Sequence, residues 1–155
     1  MARASEGNQP LPPPLDRIEA AWRRWLDVLA RVPDERAAEP GVTETWSVKD
    51  LIGHVAFWDE YAIVRCQEWL AGKPHGNVDW QQMNDADAAA GADLTLDEQR
   101  LRQETNHAAL LAFLGELALD PERAASLYER ISDDTDIHYD DHAGQIAAWL
   151  AQTAG

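Results

Sequence analysis

Cysteine is nearly absent from this sequence of 155 residues. Cys66 stands alone, so no disulfide can close within the chain. That suits a reducing cytoplasm. No apolar run approaches the roughly 20 residues of a membrane span. The opening MARASEGNQPLPPPL lacks an apolar core of signal-peptide type, so a cytoplasmic protein is expected. Valine and isoleucine are scarce, while alanine, leucine, glutamate, aspartate and glutamine dominate, which favours helix over strand. Basic residues are few: 13 Lys and Arg stand against 28 Asp and Glu, for a net charge of −15 at pH 7. Such a surface repels phosphate backbones and anionic membranes alike. Nucleic acid and membrane are excluded as expected partners, and a small molecule is left. Solubility is the plain reason for the acidity.

What is present is helical periodicity. Residues 1–14 read as a polar, then proline-rich arm, its PLPPP tending to polyproline II. A single domain is expected over residues 15–153. Leu15, Ile18, Trp22, Trp25, Leu26 and Leu29 recur at three- and four-residue steps and predict a first helix over Leu15–Arg31. Pro33 ends it. A second helix starts at Ser47, where Ser47 and Asp50 form a capping box, and runs to about Ala71. Its inward stripe reads Leu51, His54, Val55, Trp58, Ala62, Cys66 and Trp69. Residues 72–94 are a long connection with a short helix from about Val78 to Ala90. A third helix opens at Thr95, with Glu98 completing a second capping box, and passes Leu101, Leu110, Leu111, Leu114 and Leu117 to Asp120. PERAASLYER makes one or two further turns. The fourth helix begins near Asp136 and reaches about Ala151. This pattern predicts an all-α fold, a four-helix bundle with a long connection between helices 2 and 3.

His138 and His142 lie four residues apart in HYDDH, at the start of that last helix. Residues i and i+4 share a helix face, with Cβ atoms about 6 Å apart, so both rings can reach one ion. HExxH zinc sites use this spacing, but HYDDH lacks their glutamate base. The pair alone is a weak signal and can be an ordinary helix start. His54 strengthens it. It lies on the apolar stripe of helix 2, where a lone histidine is commonly a core residue bonded to a carbonyl. In an alternating bundle, helices 2 and 4 start at the same end. At about 1.5 Å per residue, His54 lies about 10 Å into its helix, and His138 and His142 about 3 to 9 Å into theirs. All three can therefore meet at one level. Three imidazoles with open positions describe a reactive metal site, suited to zinc, nickel, iron or copper.

Other candidates are fewer. Asp50, four residues before His54, either accepts from an imidazole N–H or serves only as a cap. Asp141 is open to a supporting role beside His142, with a solvated edge as the plain alternative, as for Asp140. Trp58 and Tyr61 can floor a pocket beside the metal, or simply pack in the core. Cys66 lies about 18 Å along the helix from His54 and reads as a small apolar residue. His75, in GKPHGN, reads as exposed. His107, in mid-helix, reads as a surface or satisfied histidine with a pocket-wall alternative.

WSVKDLIGHVAFWDE resembles the helix 2 signature of the DinB-like (YfiT-type) metal-binding four-helix bundles. HYDDHAGQIAAWL resembles their last-helix signature, an HxxxH followed by Q-I and an apolar tail. VDWQQMNDADAAA is similar to their stretch between helices 2 and 3. The resemblance spans about residues 15–152. It implies a metal held by three histidines, matching His54, His138 and His142. Characterised members of this bacterial family include transferases and isomerases that use mycothiol or bacillithiol, among them mycothiol-dependent maleylpyruvate isomerase, and dimers are common. Some members replace one ligand histidine with glutamate; this chain keeps both. A homodimer and a metal-dependent thiol S-transferase are thus the expectation from resemblance. A metal-dependent hydrolase, a non-catalytic metal-binding stress protein and a metal-free interaction bundle stay open beside it.

Overall fold

The computed structural model describes residues 14–154. The arm expected over residues 1–14 lies, apart from Pro14, outside the described residues. The described chain is all-helical: α1 (Pro14–Leu29), α2 (Val48–Leu70), α3 (Trp80–Gly91), α4 (Leu96–Gly115), α5 (Pro121–Ile131) and α6 (Asp136–Thr153), with short 3-10 turns at Asp34–Arg36 and Ser132–Asp134. No strand forms among the described residues; Thr43 and Trp46 make an isolated bridge.

Both expected capping boxes are present. Ser47 Oγ accepts from the Asp50 N–H at 3.1 Å, and Asp50 Oδ2 accepts from the Ser47 N–H at 2.9 Å. Thr95 and Glu98 do the same for α4. The expected third helix stops early, at Gly115 rather than Asp120. Glycine is a poor helix residue. Asp120 is also committed elsewhere: it takes an extended backbone and accepts from the Arg123 N–H at 2.8 Å to cap α5, whose first residue is Pro121.

α1 packs chiefly along α6, and α2 along α4; α2 also meets α5 and α6. Trp25, Leu51, Ile52, Leu110, Leu127 and Ile146 are fully buried between them. The inward face of α4 departs from the expected leucine stripe. It reads Gln99, Gln103, His107, Leu110 and Leu114, while Leu101 is 63% exposed. Leu101 is two residues from Gln99, about 200° round the helix. Leu26 of α1 is likewise largely exposed, one residue past buried Trp25. The polar residues on the α4 face are matched by partners. Gln103 Oε1 accepts from Trp25 Nε1–H at 3.0 Å. The Gln99 amide lies where a side chain at Gly53 would stand; a Cβ there would be 2.5 Å from Gln99 Nε2. Gly53 thus lets α4 press against α2 one residue before His54. Asn106 donates to the Ala56 carbonyl at 2.9 Å. Cys66 is buried, and burial pushes its thiol up to about 12.

The Ser47 cap orients the start of α2. Ser47→Ala should cost about 1 kcal/mol of stability, measurable as a lower denaturant midpoint with an unchanged slope.

Candidate metal centre

His54 enters from the second turn of α2, between fully buried Leu51 and Val55. His138 and His142 enter from the first two turns of α6. That start is held by Thr135, whose Oγ1 donates to the Ile131 carbonyl at 2.8 Å. His138 Nε2 stands 2.8 Å from His54 Nε2 and 2.9 Å from His142 Nε2. The three ligand atoms all lie within 4.8 Å of one another.

The protonation of these rings follows from their surroundings. Burial, then the nearness of His142, pushes His54 down to about 3. Burial also drives His138 well below its ordinary value, with both other histidines adding to the effect. His142 is lowered by burial, against the opposing pull of Gln145 and Asp141. All three are therefore neutral near pH 7. His142 Nδ1 lies 2.6 Å from Gln145 Oε1, an acceptor, so its proton sits there and its Nε2 presents a lone pair. His138 Nε2 has one in-plane site but two nitrogen neighbours. A neutral ring can satisfy only one of them. Nδ1 of His138 is buried beside the Asp134 backbone, which favours a proton there, without a well-formed hydrogen bond. Lone pairs converging in this way fit a divalent cation, and Gln145 is the type of partner that fixes a ligand ring.

The triad opens on a cavity of about 700 Å³. Trp46 meets His54 edge-on at 4.8 Å between ring centres. It is placed by the turn before α2, in which the Trp46 N–H donates to the Thr43 carbonyl at 2.8 Å and Glu44 adopts the left-handed region, φ 51°. Such non-glycine residues concentrate at functional sites. Trp58 also lines the cavity and donates from Nε1 to Asn84 Oδ1 of α3 at 2.7 Å. Trp80, 59% exposed, stands at the mouth. Arg65 Nε lies 2.5 Å from Asp134 Oδ2, an ion pair with poor hydrogen-bond angles. Burial holds the Asp134 carboxyl up at about 6 despite that arginine.

The sequence expectations meet this site unevenly. His54, His138, His142 and Trp58 come together as expected. Asp50 does not line the cavity; its Oδ2 serves the capping box. Tyr61 packs edge-on behind Trp58 at 5.3 Å rather than flooring the pocket. Asp141 is exposed and acts on His142 only through its charge, while Asp140 pairs with Arg24 at 2.9 Å on the surface. His75 is exposed, as expected, and also lines the cavity rim 3.3 Å from Arg65 Nη1. His107 is buried, with Asp59 as its partner, and takes no part in the cavity. Trp46, Trp80 and Asn84 lie in the segments that carry the family resemblance but were not assigned to the site, and Arg65 and Asp134 were missed, because distant segments bring them together. Gln145 follows His142 by one helical turn and was findable from that spacing.

Fold and site together define an all-helical protein with a three-imidazole centre at the base of an aromatic-walled cavity. The chain matches the mycothiol maleylpyruvate isomerase N-terminal domain family over residues 18–138, and it belongs to that family. His54 and His138 fall within the matched span, and His142 lies four residues past it. No curated protein and no solved structure matches the chain.

The histidine shifts carry a sign. Folded, His54 stays neutral down to about pH 3, whereas an unfolded histidine takes a proton near its ordinary value of 6.5. The folded state is therefore disfavoured as pH falls below 6.5. Metal-free protein should lose thermal stability from pH 6.5 to 5, and His54→Ala should flatten that slope; circular dichroism melts across this range check it.

Proposed function

We propose that this chain is a metal-dependent thiol S-transferase. In this reading zinc, nickel or iron is held by His54, His138 and His142, and a low-molecular-weight thiol such as mycothiol or bacillithiol attacks a small electrophile. The observation that carries it is the convergence of three neutral imidazole nitrogens at the base of a cavity large enough for both reactants. The metal, when bound, supplies Lewis acidity that lowers the pKa of a thiol or water brought to it. The thiol must come from outside, because Cys66 is buried and its pKa is raised. The family's name pairs mycothiol with an isomerase domain, which favours a thiol co-substrate here. We read α1, α2, α4 and α6 as a four-helix bundle, with α3 in the connection forming a wall of the site.

The chain's own residues divide the remaining work. Gln145 orients His142 through Nδ1. Trp46 and Trp58 supply apolar wall beside the histidines. Arg65 and His75 give the rim its polar contacts for an incoming ligand. A second reading, hydrolysis of an ester, amide or lactone, draws on one observation. Asp134 lines the cavity with its carboxyl raised to about 6, a range suited to a general base.

Elemental mass spectrometry of gently purified protein tests the metal. Near-stoichiometric metal is expected, lost in both His54→Ala and His142→Ala. Thiol-dependent conjugation of an electrophile by the metal-loaded protein then separates the readings; turnover without thiol would favour the hydrolase, and metal-free protein from every preparation would overturn both.

A further inference from the structure

A second polar cluster lies behind the histidines, outside the cavity. Asp59 of α2 is fully buried. Its Oδ1 accepts from the Tyr139 hydroxyl of α6, and its Oδ2 lies 3.0 Å from His107 Nδ1 of α4. The Tyr139 hydroxyl is also 3.2 Å from that nitrogen. Trp22 of α1 stacks on the His107 ring, with centroids 3.7 Å apart and planes 7° from parallel. All four long helices therefore meet at this point.

We propose that Asp59, His107 and Tyr139 are positioning residues for the three-histidine centre, a buried knot that sets the height of α6 against α2. The proposal rests on the metal reading above. Tyr139 directly follows His138, and Asp59 lies five residues beyond His54 on the same helix. Successive helical residues point about 100° apart, so α6 sends His138 toward the cavity and Tyr139 into the interior. Among the described residues, the bond from Tyr139 to Asp59 is the one side-chain hydrogen bond joining α2 to α6 apart from the histidine contacts. Sliding α6 by one residue would displace both of its histidines by about 1.5 Å, more than the 2.8 and 2.9 Å nitrogen contacts can absorb. Apolar packing alone tolerates small slides, whereas a directional bond between two fully buried groups does not. Stability gives little reason to keep a carboxylate here, since well-packed apolar residues commonly replace buried ionic groups without loss. His107 is held from one side only. Its Nε2 is buried without a partner, and the Trp22 face fixes the plane of the ring.

The test is metal affinity in the full chain, by chelator competition with zinc, together with the visible absorption bands of the cobalt(II)-loaded protein. Tyr139→Phe removes one oxygen and should weaken zinc binding by about tenfold or more. It should also shift the cobalt bands while leaving the far-ultraviolet circular dichroism unchanged. Asp59→Asn should act in the same direction; if it fails to fold, Tyr139→Phe decides. Zinc affinity within about twofold of wild type and unaltered cobalt bands would overturn the proposal, even if the metal-free protein melts lower, because that pattern marks a purely structural role. Wild-type protein that binds neither ion would overturn the metal reading and this inference together.

Discussion

Desolvation of three imidazoles is the constraint on which the site depends. In water each ring would carry a proton for part of the time near neutrality. Packed between α2 and α6, the three are held neutral, and their free nitrogens face one another with fewer protons than contacts. Arrangements of that kind are costly unless something electron-poor completes them. The remainder of the protein can be read as the apparatus that makes this crowding possible. The capping box fixes where α2 begins, Gly53 lets α4 close against it, and Thr135 sets the start of α6.

Much of this was legible in the residues themselves. Ser47 with Asp50, and Thr95 with Glu98, are local signals, and both form as expected. The histidine triad was legible because helix geometry is regular. Counting residues from each helix start places His54 near the level of His138 and His142, and that is where they meet. The sequence is less legible where burial is polar. Gln99, Gln103 and His107 form the inward side of α4, whereas Leu101 of the leucine pattern lies on the outer side. A buried glutamine announces itself only through its partner, such as Trp25, which lies far away in sequence. For Asp50 and Tyr61, each open to two readings, the plainer one holds: a cap and a packing residue. Proximity along a helix says which residues share a face, not which already have another task.

The two polar assemblies also differ in character. The histidines open to a cavity and lack partners for all their lone pairs. Asp59, His107 and Tyr139 are closed off from it and bonded mainly to one another. They adjoin along α6, with adjacent residues 138 and 139 turned toward different sides. The open cluster and the closed one are thus separated within a single helical turn.

The hydrogen bond from Trp58 to Asn84 ties one wall of the cavity to α3, which belongs to the connection rather than to the four long helices. The same helix supplies Gly91, which is buried and makes room for the Gln99 amide that also fills the space at Gly53. Its other side lines the cavity through Trp80, Gln81 and Asn84. The connection thus both walls the cavity and seats a buried glutamine beside the helix that carries His54, so a change on one face of α3 reaches the fold through the other.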